Sequence, residues 1–381
     1  MFDVKTVERE LGGRKLSLEC GRMARQANGA VVVRYGDTMV ITASVMGPPR
    51  DSPRDDDFMP LTMDYREKTG AAGKIPGGFF KREGRPSTKE ILTMRMMDRP
   101  IRPLFPDGFR NEIQIQAFVL SADLENDPDL MAINGASASL TISDIPFLGP
   151  VGAVRVGQVD GKLVLNPSFA DRAVSALELI VVGTEKAVTM VECGARELSE
   201  EVMIEAIKFG HDAIREICRM QNELRETAGV AKFVFAPPVR DEAVHAEVKG
   251  RFAEAMRTAL LTTGKLARSA AVSQVGKLAV EALVPGEVKD AAKVGEVKRA
   301  IHDLERDTVR AVILEGGRVD GRSVTDIRPI VSEVGILPRS HGSALFTRGE
   351  TQAIVTCTLG TTDDEQIIDG LQEEVRKRFM L

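Results

Sequence analysis

One stretch of this chain occurs twice. Ala30-Val31-Val32-Val33-Arg34-Tyr35-Gly36-Asp37-Thr38-Met39-Val40-Ile41-Thr42 returns as Ser343-Ala344-Leu345-Phe346-Thr347-Arg348-Gly349-Glu350-Thr351-Gln352-Ala353-Ile354-Val355, at an offset of 313 residues. Each copy reads as strand, tight turn, strand: apolar β-formers flank Gly-Asp-Thr or Gly-Glu-Thr, and the glycine supplies the turn backbone. Upstream the likeness continues with a one-residue gap, since Glu19-Cys20-Gly21 answers Glu333-Val334-Gly335 and Arg25 answers Arg339. Downstream, Phe58-Met59 answers Phe379-Met380. The first copy runs far past that match, whereas the second reaches only Leu381. The expectation is one complete domain, a connector, and the opening strands of a truncated second copy.

A chain of 381 residues with 43% hydrophobic content suffices for two or three ordinary domains. No run approaches the roughly 20 uncharged apolar residues that cross a bilayer, and Met1-Phe2-Asp3-Val4-Lys5 lacks the layout of a signal peptide. A soluble, cytoplasmic protein with no membrane partner is expected. Cys20, Cys193, Cys218 and Cys357 form no CxxC pair, so buried free thiols are expected in place of disulfides or zinc. A formal net charge of −5 confines any nucleic-acid site to a local patch.

From Lys15 to about Val45, and again from Phe58 to Tyr65, β-rich runs alternate with turn residues, which predicts a meander with one buried face. Pro48 to Asp57 reads as the loop between them. Ile113 to Leu120, Leu163 to Leu165, Leu177 to Val182 and Ala187 to Glu192 read as further strands. Met131 to Ile142, rich in Ala, Ser and Gly, suits a helix packed closely on a sheet. Ser199 caps a long amphipathic helix through Val202, Met203, Ala206, Ile207, Ala213, Ile214 and Ile217. Pro237-Pro238 marks a boundary. Beyond it, Asp241 to Leu314 has the composition of a helical connector, which Gly316-Gly317 ends.

Ser87 and Glu90 form an S-x-x-E capping box that predicts a helix from about Thr88 to Arg99, ended by Pro100. Arg95 and Arg99 share one side of it, with Arg102 beyond and Arg85 near its start. Guanidinium forks bind phosphate bidentately, so this cluster is a candidate polyanion site; structural pairing with Asp98 or Asp107 weighs equally. Phe79 and Phe80 lie in the glycine-rich loop Gly73 to Arg85, where two adjacent aromatics cannot easily both face one core. Rings beside Lys81 and Arg82 are what a single strand needs, because bases stack on the rings while cations hold the backbone. A loop folded over its own hydrophobes is the alternative.

Gly-Arg-Met-Ala-Arg-Gln-Ala (21–27), Gly-Gly-Phe-Phe-Lys-Arg-Glu-Gly-Arg-Pro-Ser (77–87), Asp-Arg-Pro-Ile-Arg-Pro-Leu-Phe-Pro (98–106) and His-Gly-Ser-Ala-Leu-Phe-Thr-Arg-Gly-Glu-Thr-Gln (341–352) closely resemble the bacterial polynucleotide phosphorylase family, and the likeness covers essentially all 381 residues. The resemblance implies an α+β fold: an RNase PH-like core over 1–237, an all-helical domain over 238–315, and the beginning of a second RNase PH-like core over 316–381. It implies a homotrimeric ring that degrades single-stranded RNA from the 3′ end, with inorganic phosphate as nucleophile and nucleoside diphosphates as products. A place in an RNA-degradation complex that acts on mRNA is also implied. Phe79, Phe80, Lys81 and Arg82 would stand at the ring's central opening. Many relatives carry arginine where this sequence has Lys81, so a point charge replaces a fork there.

In that family a Ser-rich turn at a helix start holds phosphate and acidic residues hold Mg²⁺ or Mn²⁺. The first copy carries Glu125-Asn126-Asp127-Pro128-Asp129-Leu130 before its small-residue helix, and these carboxylates are expected to repel phosphate. Where metal-binding aspartates would stand, before Leu177, the sequence offers Asn166, Ser168 and Asp171. Asp55-Asp56-Asp57 and Asp363-Asp364-Glu365 read as solvated loop charges. His211, His245 and His302 read as surface or packing residues on helices, and His341 as a turn hydrogen-bonder. The expectation is no catalytic residue and no metal or other cofactor bound by this chain, which supplies RNA guidance and assembly. A non-catalytic RNA-binding or scaffold protein of the same fold is the alternative. A phosphorolytic enzyme using the first core alone is a third reading, which residues 125–130 oppose.

Overall fold

The computed structural model describes residues 2–49, 59–77, 79–237, 239–286 and 290–381; Asp55-Asp56-Asp57, Phe58, Gly78 and Pro238 lie outside them. The chain forms two compact units, Met1–Pro237 with Glu365–Leu381, and Pro238–Asp364.

The first unit opens with β1 (Lys5–Leu11), β2 (Arg14–Cys20), β3 (Gly29–Tyr35), β4 (Thr38–Pro49) and β5 (Leu61–Glu67), then α1 (Thr88–Ile101) and β6 (Asn111–Ser121). They form one sheet in the order β1-β2-β3-β4-β6-β5. Its first four strands make the expected meander, which starts ten residues early at Lys5. The last strand departs from it. β5 runs parallel to β6, from Leu61 opposite Ile113 to Glu67 opposite Val119. Parallel neighbours need a crossover, and α1 provides it. Pro100 sits inside α1 instead of ending it: near a C-terminus the ring forfeits one bond, and Arg102 N–H still reaches the Asp98 carbonyl.

There follow α2 (Asp129–Ile142), β7 (Gly152–Val159), β8 (Lys162–Leu165), α3 (Phe169–Val174), β9 (Leu177–Gly183), β10 (Val188–Ala195) and α4 (Glu200–Ala228). A second sheet has the order β10-β9-β7-β8. Every residue of α2 is buried, packed on β3 and β4 and also on β7 and α4. Small side chains permit this: a Cβ on Gly29 would stand 2.1 Å from the Ser139 carbonyl oxygen. Its polar residues are matched one by one. Asn134 bonds both the N–H and the carbonyl of Ala153, at 2.7 and 3.0 Å. Ser137 accepts from Val151 N–H at 2.8 Å and donates to Gln221 at 2.7 Å. Satisfied groups of this kind fix the register of helix on strand without an unpaired dipole in the core.

The second unit contains α5 (Glu242–Leu260), α6 (Lys265–Leu283) and α7 (Ala291–Leu314), around Val248, Met256, Val275, Ala279, Val297 and Ile301. Then come β11 (Ile330–Val334), β12 (Gly342–Arg348) and β13 (Thr351–Cys357) in one antiparallel sheet. The sequence repeat is a repeat of register. Tyr35 pairs with Thr38 across a glycine at φ +62°, and Arg348 pairs with Thr351 across a glycine at φ +61°. The one-residue gap also holds in space, since Glu19 pairs with Val32 as Glu333 pairs with Leu345. The copies differ in cover: Val31, Val33 and Val40 are buried, whereas Ile354 and Val355 are 65% and 51% exposed. The chain then returns to the first unit with the short strands β14 (Gln366–Ile368) and β15 (Val375–Lys377), and Leu371 between them joins that unit's core.

The cysteines correct one expectation. Cys20 and Cys218 are buried, and burial pushes the Cys218 thiol up to about 12, but Cys193 on β10 and Cys357 at the end of β13 are exposed. His341 does not make the expected turn bond: it accepts at 3.0 Å from the N–H of Leu359, 18 residues on, and so joins the open ends of β12 and β13. His245 gains a partner that sequence does not indicate, Glu296 at 3.0 Å.

Candidate nucleic-acid interface

Two anchors hold the glycine-rich loop. At its far end the capping box closes as expected: Ser87 N–H donates to Glu90 at 2.6 Å and Glu90 N–H to Ser87 Oγ at 3.2 Å. The other oxygen of Glu90 accepts from Glu67 N–H at 2.9 Å, which ties α1 to β5. At the near end, Lys74 donates to the carbonyls of Gly370, at 3.0 Å, and Gln372, and lies 3.7 Å from the Asp369 carboxylate. Nothing in the sequence brings 369–372 to this loop. Glu83 accepts from the Thr69 N–H at 3.0 Å and pins the loop midway.

Between the anchors Phe79 and Phe80 stand 93% and 86% exposed, edge to face with centroids 5.4 Å apart. Lys81 follows in the left-handed region at φ +48°, and Lys81, Arg82 and Arg85 are exposed. Among the described residues none of these three cations has an ion pair. The loop is thus not folded over its own hydrophobes.

The arginines of α1 divide. Arg95 is exposed and unpaired among the described residues. Arg99 pairs with Glu192. Arg102 grips Asp98 with both arms of its fork, at 2.8 and 2.6 Å, and donates to the carbonyls of Met59 and Leu61. It thereby fastens α1 to the edge strand β5.

The head of α2 differs from the expected excess of negative charge. The side chain of Asp127 is buried and surrounded by cations: Lys89 Nζ at 3.0 Å, Arg172 at 2.8 Å and Arg155 at 3.7 Å. Arg155 also holds Asp129 at 2.7 Å, and Lys89 holds Glu67 at 2.7 Å. The Lys89 contact to Oδ1 lacks hydrogen-bond alignment, so charge alone holds that oxygen. Burial pushes the Asp127 carboxyl up, but Lys89, Arg155 and Arg172 outweigh it and leave it well below the usual carboxylate range. A resident carboxylate, Asp127, thus stands at the head of α2 with three cations around it. The sequence signal for this is Arg155, a lone charge within the apolar run of β7 that has to find a buried partner.

A divalent metal does not fit these donors, since Asp127 and Asp129 are spent on guanidinium and ammonium groups. Asp171 and Ser168 cap α3, and Asn166 accepts from Arg155 N–H at 2.9 Å. Among the described residues no group of three or more His, Cys, Asp or Glu side chains could hold a metal ion. No helix among them is long and apolar enough to cross a membrane.

Residues 12–146 and, separately, 326–379 match the family described as 3′ exoribonuclease family, domain 1, which reproduces the internal repeat. Residues 149–213 match domain 2 of that family, and 243–323 match polyribonucleotide nucleotidyltransferase, RNA binding domain. The polyribonucleotide nucleotidyltransferases of Acidiphilium cryptum and Gluconacetobacter diazotrophicus are each 51% identical, over all of this chain and 53% of their own length. That of Geotalea daltonii is 50% identical over 98% of this chain and 53% of its own. The chain thus spans about half the length of the curated relatives it matches. Among solved structures, rice Rrp46 aligns with 58% of this chain and 94% of its own at a TM-score of 0.44 and 15% identity.

Proposed function

Because this chain belongs to the 3′ exoribonuclease family, among the polyribonucleotide nucleotidyltransferases, we propose that it provides RNA guidance and assembly for phosphate-dependent 3′→5′ decay of single-stranded RNA to nucleoside diphosphates. The observation that carries the reading is the exposed Phe79-Phe80 pair beside Lys81 and Arg82, two stacking rings and two cations on one anchored loop. The reading extends to a homotrimer in the cytoplasm, acting in mRNA degradation within an RNA-degradation complex. It also extends to inorganic phosphate and Mg²⁺ or Mn²⁺ as requirements of full-length members of the family. In this chain the cations at the head of α2, Lys89, Arg155 and Arg172, are already engaged by Asp127, Asp129, Glu67 and Glu178, and on this reading the first unit contributes no phosphorolytic site.

The test is nucleoside diphosphate release from labelled single-stranded RNA by this chain, with Mg²⁺ and with or without inorganic phosphate. No release is expected under either condition. Phosphate-dependent release would place a working site in the first unit and overturn the assignment. A second expectation concerns the loop cations: K81A/R82A should lower the slope of log affinity against log salt by about 1.4, at about 0.7 for each phosphate that is no longer neutralised. An unaltered slope would remove both residues from the interface.

A further inference from the structure

The second unit holds a cavity of about 410 Å³ with strongly cationic walls. Five cations line it: Lys265 and Arg268 from the first turn of α6, Arg322 and Arg328 from the segment before β11, and Arg348 at the end of β12. Only two acids, Asp320 and Glu350, stand among them. Like charges gathered in one concavity repel one another, so the arrangement is favourable only with counter-charge supplied.

The chain supplies part of it. Asp320 lies 2.9 Å from Arg322 Nε and 3.6 Å from Arg328. Arg322 also donates to the Asp326 carbonyl at 2.8 Å, and Arg268 reaches the Val319 carbonyl at 3.4 Å. The stem of Arg328 is set by the hairpin turn, where a Cβ on Gly349 would stand 3.3 Å from its Cδ. Lys265 and Arg348 are exposed and, among the described residues, have neither hydrogen bond nor ion pair from their side chains. No acid lies in the first turn of α6 to offset Lys265.

We propose that this cavity binds a diphosphate group, as carried by a nucleoside diphosphate or by inorganic pyrophosphate. Five cations against two acids leave three positive charges in one cavity, which two adjoining phosphates match and a single phosphate does not. Guanidinium forks engage such oxygens bidentately, and the volume lies in the range of small-molecule sites. A strand of RNA spreads its charges one per nucleotide and would leave most of this set unmatched. The proposal stands on the second unit alone and is independent of the activity inferred above.

Titration calorimetry of the purified chain tests it, with pyrophosphate, ADP, AMP, inorganic phosphate and a short single-stranded RNA as probes. Pyrophosphate is expected to saturate one site, with AMP and inorganic phosphate at least about tenfold weaker. ADP binding with the same preference identifies the nucleotide as a ligand; pyrophosphate without ADP still supports the site and excludes the nucleoside. Lys265→Gln and Lys265→Gln with Arg348→Gln should each weaken binding, the pair by about tenfold or more, with an unchanged thermal midpoint because both side chains are exposed. RNA affinity should hold in both variants. Absence of saturable pyrophosphate binding, AMP or inorganic phosphate binding as tightly as pyrophosphate, or variants that lose RNA while retaining pyrophosphate would each overturn the proposal.

Discussion

Asp127→Ala is expected to destabilise the first unit by about 3–5 kcal/mol, the usual consequence of removing one partner from a buried ion cluster. The alanine would take away the carboxylate that Lys89, Arg155 and Arg172 share, leaving Glu67 for Lys89, Glu178 for Arg172, and only Asp129 and the half-exposed Glu178 for the almost wholly buried Arg155. Urea unfolding near neutral pH measures the loss. The pH dependence carries a second signature. The folded carboxyl lies below its unfolded value of about 3.9, so its contribution is complete above that pH and disappears as pH falls through the lowered folded value. The wild type should therefore lose stability steeply in that acid window, and the alanine variant should lack this part of the slope. A loss under about 1 kcal/mol would mean that water, and not Asp127, balances the three cations.

Phe79→Ala with Phe80→Ala should weaken binding of single-stranded RNA by about 30-fold or more, since each stacked base is worth roughly 1 to 3 kcal/mol. The unfolding midpoint should stay where it is, because rings 93% and 86% exposed add almost nothing to the folded state. Fluorescence anisotropy with a labelled oligonucleotide reads the first quantity and thermal denaturation the second. Unchanged affinity would dismiss the loop as a stacking platform. A lowered midpoint would mean that the rings cover apolar surface.

Much of this architecture is legible in the sequence because it depends on local pattern. The hairpin register of β3 and β4 recurs in β12 and β13, since glycine at the same offset fixes the same turn. The capping box starts α1 where Ser87 and Glu90 put it, and small residues identify α2 as a helix buried on every side. Alternation cannot reveal that β5 is parallel, because side chains alternate with a period of two in either direction. β7 escapes sequence reading because Gly152, Arg155 and Gly157 dilute its apolar signal, and Arg155 is the residue that reaches Asp129. Residues 125–130 read as repulsive in isolation. Their cations arrive from α1, β7 and α3, far off in sequence, so the neutralised cluster is a property of the fold alone. Arg102, equally suited by its type and spacing to phosphate, is spent on Asp98 and two carbonyls.

The resident carboxylate at the head of α2 also has a thermodynamic consequence. A vacant cradle would couple folding to its ligand, gaining about 2.7 kcal/mol when free phosphate stood a hundredfold above its dissociation constant and nothing when phosphate ran out. Asp127 is tethered to the chain it stabilises, so its local concentration is set by the backbone and not by the surrounding solution. The stability that Asp127 itself contributes is thereby independent of mass action and of the phosphate concentration around it.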